Sequence, residues 1–478
     1  MSIKLNFLYS SILTVSNYIF PLITFPYLSR VLGPNNIGIC NFIDSVVNLF
    51  ILFSMMGMGY FAVREIACNN SSSENRSKAF WGIFVLNLTT TVFALIVLIL
   101  CFIFIPRLNQ HVDLFIFGAF KLLFNFLLFE WFFRGVEDFK YITNRSLIIK
   151  VIYVASVFIL VKDKNDYNIY YILSTLVVVI NALFNIIRIK KYIRLKNFVI
   201  QIRTYIKPYV IYGMYSFLTS MYTSFNVVFL GFVTNDVQVG YYTTVTKLYG
   251  IILAFFTAFT TVMLPRMSSL IAQNNTRHFL SLIDKSLDFL YAVTFPLIIV
   301  IFVYSNLIVD IIAGSGFEGA SVPLKIVSIL LFINGYEQII IIQILMPLKK
   351  DKSILFNSLA GAITGLTFNV LLVSSLACIG SSLVWFASEI VVLACGQYFV
   401  TKYTRIYFPY KKTSQYLLLS LPLFLIVYVT DLFFNTQICS LLINIPIIIL
   451  YSLFIDIYIM KNSFAILVID NITKIIKK

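Results

Sequence analysis

Fourteen apolar stretches, each long enough to cross a bilayer, follow one another from Asn6 to Met460. A hydrocarbon core of about 30 Å takes about 20 apolar residues per helix. The pattern predicts spans over 6–29, 37–63, 80–105, 113–133, 146–161, 169–187, 208–233, 241–264, 287–313, 323–346, 353–376, 382–401, 414–434 and 440–460. The expected fold class is all-α integral membrane, with 14 transmembrane helices. The fifth and sixth spans read as short or flanked by charge.

Polar positions inside the spans are ordered. In the first span Ser10, Thr14, Asn17, Pro21 and Thr24 recur at helical steps and draw one stripe along a helix. Moved on by 202 positions, the stripe becomes Tyr212, Ser216, Thr219, Thr223 and Asn226 in the seventh span. The same shift carries Gly38 onto Gly240, and Asn41, Asp44, Ser45 and Asn48 onto Thr243, Thr246, Lys247 and Gly250. Polar side chains turned to lipid leave hydrogen bonds unmade, so such stripes face other helices or a water-filled cavity. Packing through small polar residues explains either stripe alone. Recurrence in both halves favours a cavity between two bundles, related as a parallel repeat about an axis along the membrane normal.

Charge sets the orientation. With the N-terminus placed in the cytoplasm, 28 of the 36 Lys and Arg residues fall on inner loops and tails. Four (Arg30, Arg107, Lys162 and Lys164) fall outside, and four (Lys121, Lys150, Lys247 and Lys325) lie within spans. This bias places both termini in the cytoplasm. The net charge of +16 is then topogenic charge facing anionic headgroups, and no nucleic-acid partner is implied. Seven of the inner cations sit between Arg188 and Lys207, a basic connector expected to include a helix lying on the inner surface. The first stretch is too long for a signal-peptide core and is expected to remain as a helix.

Other chemistry is sparse. The six cysteines are scattered, His111 and His278 stand far apart, and no metal site is expected. There is no G-x-x-x-x-G-K-[ST] phosphate loop, so ATP hydrolysis by that route is excluded. No loop is long enough for a soluble catalytic domain. The chain is expected to work within or across the membrane, as a transporter and not an enzyme.

Ionisable groups at membrane depth cost about 2.5–3.5 kcal/mol each and therefore pair or face water. Asp44, Lys121 and Lys247 lie deepest, followed by Glu337, Glu389 and Asp456. Asp44 and Lys247, one step apart in the repeat, either pair with each other or each meet a substrate charge. Arg30, at the end of the first span, either anchors that end or contacts an anionic headgroup. Pro21 and Pro26 give the first helix either a static kink or a bending point.

The segment Phe25-Pro-Tyr-Leu-Ser-Arg-Val-Leu-Gly-Pro34 followed by Ile37-Gly38 resembles the opening of Wzx-type polysaccharide flippases, members of the multidrug/oligosaccharidyl-lipid/polysaccharide exporter superfamily. Met56-Gly-Met-Gly59 with Arg64-Glu65, Glu130-Trp131 with Arg134-Gly-Val-Glu137, and Gly240-Tyr-Tyr242 through Pro265-Arg-Met-Ser268 continue the likeness in order. It covers most of the chain and is weakest in the last two spans. The resemblance implies two pseudo-symmetric six-helix lobes plus a terminal helix pair. The lobes are then 1–187 and 208–412, with the basic connector 188–207 between them and 413–478 forming helices 13–14 and the tail. It also implies export of an undecaprenyl-diphosphate-linked oligosaccharide across the bacterial cytoplasmic membrane through a basic lumen. Arg30, Lys121, Lys247, Asn17 and Thr219 are the substrate-binding candidates on that basis, with Lys150 and Lys325 as further cations. Asp44, Glu337 and Glu389 are candidates for H+ or Na+ coupling, with no other cofactor. Membrane lipid and a glycan polymerase are the implied partners. A multidrug/cation antiporter of the same fold, a peptidoglycan-precursor flippase and a membrane glycan polymerase or ligase are the alternatives.

Overall fold

The computed structural model describes residues 3–70, 72–194, 202–222, 224–434 and 436–466. Helices account for nearly all of them, and no strand occurs among the described residues. Among the described residues ten helical runs are long and apolar enough to cross a membrane, and two of these are of double length. The 52-residue run Ile3–Ser54 would extend about 78 Å at 1.5 Å per residue. That is more than twice the hydrocarbon core. It is divided at Gly33, whose φ of 74° and ψ of 172° suit a residue without Cβ. Pro34 follows, with no N–H to continue the ladder. The division falls between the expected first and second spans, while the backbone stays helical through Pro21 and Pro26. In the run Asp351–Thr404, a π-helical turn at Asn369–Val373 and a positive φ at Ala377 mark the corresponding change.

The chain gathers into two compact units. Unit one comprises Met1–Thr243 with Asn369–Ser381, and unit two Thr244–Phe368 with Ser382–Lys478. In unit one the run Ile3–Ser54 packs on the helices Ser73–Phe104, Val112–Phe126 and Phe139–Leu160, and the last of these lies beside Tyr167–Ile189. An aromatic core of Phe61, Phe80, Phe129, Trp131, Phe132 and Phe133 closes one end.

The fourth span, expected to run unbroken over 113–133, is two helices, Val112–Phe126 and Glu130–Gly135. Phe129 between them has a φ of 47°. A left-handed non-glycine residue costs about 1–3 kcal/mol. Phe129 offsets this with ring contacts to Phe80, Phe84, Phe126 and Trp131, each worth about 0.5–1.5 kcal/mol. The Asn185 amide donates to the Leu128 carbonyl freed by the break. The fifth and sixth spans are full-length helices, Phe139–Leu160 and Tyr167–Ile189. They read as short because Lys140, Arg145 and Arg188 lie inside them. Residues 195–201, the middle of the basic connector and of the surface helix expected there, lie outside the described residues, as do Lys474, Lys477 and Lys478.

In unit two the helix Thr276–Ala313 lies along Ser321–Gln338, which continues through a π-helical stretch to Leu345. The terminal helices Tyr410–Phe433 and Gln437–Phe454 pack on Thr276–Ala313 through Ile299, Tyr304, Leu307, Leu423, Val427 and Ile448. Polar bonds reinforce this docking. Asn444 donates to the Tyr304 hydroxyl at 2.6 Å, and Asp288 pairs with Lys412.

Candidate functional site

In unit one the polar face of residues 41–48 is built by helical spacing, which puts Asn41, Asp44 and Asn48 on one side of the helix. Asp44 accepts from Asn48 Nδ2 at 3.0 Å and forms a salt bridge with Lys121 from the helix Val112–Phe126. The side chains are 30% and 16% exposed, so the pair is neither sealed nor fully wet. The sequence assigned Lys121 to substrate and Asp44 to ion coupling. The structure joins them in one pair. Neither residue meets the bilayer as a lone ion, which satisfies the cost of charge at depth.

A second cation stands on the first-span stripe. Lys150 Nζ donates to Ser16 Oγ at 2.8 Å and to Asn17 Oδ1 at 2.6 Å, and lies 5.7 Å from the Phe20 ring centroid. Asn17 remains exposed. Arg30 is exposed and donates to the Pro26 carbonyl at 2.7 Å, so it grips the end of its own helix. Thr219 is half-buried on the helix Arg203–Tyr222.

Near Gly33 the two copies of the repeat meet inside unit one. A Cβ on Gly38 would collide with the Asp236 carbonyl, and a Cβ on Gly240 with the Pro34 carbonyl. Asn41 Nδ2 donates to Thr243 Oγ1 at 2.9 Å. Residues 34, 38 and 41 thus meet 236, 240 and 243, the reciprocal contacts of a local two-fold relation between the copies. Arg107 secures the same region by binding Asp236 at 2.6 Å and the Gly231 carbonyl at 3.3 Å. His111 stands by, its pKa lowered chiefly by burial, with Asp236 opposing and Arg107 adding to the shift.

Unit two holds the remaining candidates. Lys247 is half-buried on the helix Asp236–Ala272. Glu337 is half-buried on the helix Ser321–Gln338 and Glu389 is buried on the run Ser374–Thr404. Glu389 accepts from Trp385 Nε1 at 2.9 Å and Asn334 Nδ2 at 3.3 Å. Glu389 Oε2 is buried without a hydrogen-bond partner. The sequence marked Glu389 but not its partners Asn334 and Trp385, because uncharged residues in an apolar helix carry no periodic signal.

Residues 3–271 match the sequence profile of a family described as polysaccharide biosynthesis protein. The chain belongs to that family. The "Putative O-antigen transporter" of Escherichia coli (strain K12) is 26% identical over 411 residues, covering 84% of this chain and 97% of that one. A protein of the same description from Shigella dysenteriae is 28% identical over 253 residues, 51% of this chain and 62% of its own length. Among solved structures, the lipid II flippase MurJ in an inward closed conformation superposes with a TM-score of 0.78 at 16% identity. It covers 95% of this chain and 99% of its own. An inward-facing multidrug transporter of the MATE family gives 0.58 at 14% identity, covering 80% and 94%. At these identities the structural likenesses show the fold that the family member adopts, and no more.

Proposed function

We propose that this chain is a flippase moving an undecaprenyl-diphosphate-linked oligosaccharide across the bacterial cytoplasmic membrane. The carrying observation is the match to a family of polysaccharide biosynthesis proteins, with an O-antigen transporter aligned over nearly its whole length. The MurJ-like fold and the absence of a phosphate loop agree with secondary transport. In this reading the membrane is crossed 14 times with both termini in the cytoplasm. The double-length runs at Gly33 and near Ala377 each supply two crossings, and 208–233 and 241–264 supply two more. The lobes rock about the repeat axis. The basic candidates Arg30, Lys121, Lys247 and Lys150 hold the diphosphate, and Asn17 and Thr219 offer hydrogen bonds to the glycan. The polyprenyl tail stays in lipid.

Direction comes from an ion gradient or from consumption of the product. For proton coupling Glu337 and Glu389 are the first candidates, since a carboxyl at membrane depth escapes the cost of charge by taking up a proton. Asp44 is the second, because a proton on it frees Lys121. A glycan polymerase acting on the delivered unit is the implied partner.

The deciding experiment is deletion with complementation. Lipid-linked repeat units accumulate in the inner leaflet of the deletion strain, and the wild-type gene relieves the accumulation. Normal surface glycan in the deletion strain, with loss of peptidoglycan synthesis instead, would assign the chain to the lipid II reading.

A further inference from the structure

The helices Phe139–Leu160 and Tyr167–Ile189 lie side by side in unit one, and a recess of about 510 Å³ opens at one end of the pair. Its polar wall holds Asp138, Lys140, Tyr141, Arg145 and Arg188. The guanidinium groups of Arg188 and Arg145 lie 4.9 and 5.5 Å from the one Tyr141 ring. Arg145 is only 7% exposed. It bonds Asn185 and lies 3.4 Å from Glu130, yet its Nε has no hydrogen-bond partner. Arg188 bonds Asp138 at 2.9 Å, and its Nε is likewise without a partner. Lys140 is exposed and makes no ion pair among the described residues. Lys140, Arg145 and Arg188 line the recess against the one carboxylate Asp138, with Glu130 behind Arg145, which leaves net positive charge there.

The opposite wall is apolar. Ile148 is 61% exposed and Phe184 51% exposed, although both line the recess. A soluble anion would meet the cations and leave this apolar wall uncovered. A phosphate carrying acyl chains covers both. The charge bias of the loops puts this end of the helices at the inner leaflet, where anionic lipid is available and basic recesses between helices hold headgroups. Arginine's planar fork suits phosphate oxygens.

We propose that this recess binds the headgroup phosphate of an anionic glycerophospholipid from the inner leaflet, with its first acyl carbons against Ile148 and Phe184. The lipid ties the two helices together at their ends and takes no part in the transport route. The site therefore stands or falls separately from the flippase reading.

The test is lipid retention by the full-length protein in detergent, read by native mass spectrometry. Phosphatidylglycerol should be held as a single adduct about tenfold better than phosphatidylcholine. Lys140→Glu with Arg188→Gln should erase that preference, and Lys140→Glu alone, at an exposed unpaired position, should weaken it without changing the melting temperature in lipid-free detergent. Equal retention of the two lipids, or an unchanged preference in the double variant, would overturn the site. Displacement of phosphatidylglycerol by inorganic phosphate would reassign it to a free anion. Mole-for-mole displacement by undecaprenyl diphosphate would make it a substrate site and equally reject a resident lipid.

Discussion

Asn41 donates its side-chain amide to the Thr243 hydroxyl at 2.9 Å, and the two residues are 202 positions apart, the offset that relates the two halves of the sequence. Equivalent positions of a repeat touch each other only where the copies cross a shared two-fold relation. Gly38 on Asp236 and Gly240 on Pro34 repeat the finding with backbone. Because backbone cannot move aside as a flexible side chain can, Gly38→Val and Gly240→Val should each destabilise by about 1–3 kcal/mol. A double-mutant cycle on Asn41→Ala and Thr243→Ala should return a coupling of about 0.6 kcal/mol, typical of hydrogen bonds between membrane helices. Thermal unfolding in detergent measures both, and a coupling of zero would mean the bond adds nothing.

The Asp44–Lys121 pair predicts unequal variants. Asp44→Asn leaves a partly buried ammonium without its counter-ion, and Lys121→Met leaves a carboxylate. Each should lower complementation of the deletion strain more than the double variant lowers stability, since removing both charges also removes their desolvation cost. Melting temperature and surface glycan should therefore separate: the double variant folds like the wild type and still fails to export. Full export by the double variant would make the pair purely structural.

The carboxyl pair in unit two predicts a change in pH response. Glu337→Gln and Glu389→Gln each keep the side-chain shape while removing one exchangeable charge, and Glu389→Gln keeps an oxygen for Trp385 and Asn334. Both should fold normally, and both should abolish the dependence of export on the proton gradient. Export in vesicles with an imposed gradient reads this directly, and an unaltered gradient response would move the coupling role to Asp44.

His111, beside Arg107 and Asp236 in unit one, offers a stability test. Burial, its leading influence, lowers the folded-state pKa beneath the ordinary value of about 6.5, so the folded state prefers the neutral ring. The unfolded chain then binds more protons as pH falls through that range. Stability from this group is complete above about pH 6.5 and lost on acidification. His111→Gln should flatten the difference in melting temperature between pH 7 and pH 5. An equal slope in wild type and variant would show that His111 does not titrate on unfolding.

Much of this protein was legible from one dimension. Burial in lipid demands long apolar helices, so the all-helical membrane fold, a break between residues 29 and 37 and the 202-residue offset could be read from residue type and spacing alone. The deep charges Asp44, Lys121, Glu337 and Glu389 stood out because an ion is expensive there. Their pairing did not, since Asp44 and Lys121 are 77 positions apart and no local pattern links them. Tertiary packing decided that Phe129 would adopt a left-handed turn within an apolar run, because the rings of Phe80 and Phe84 that help compensate it come from a distant helix. It also decided that Arg145 would be a buried residue, bonded to Asn185, where the sequence showed only an inner-loop cation. Hydropathy records what each residue avoids, and only the packed helices determine which partner it meets instead.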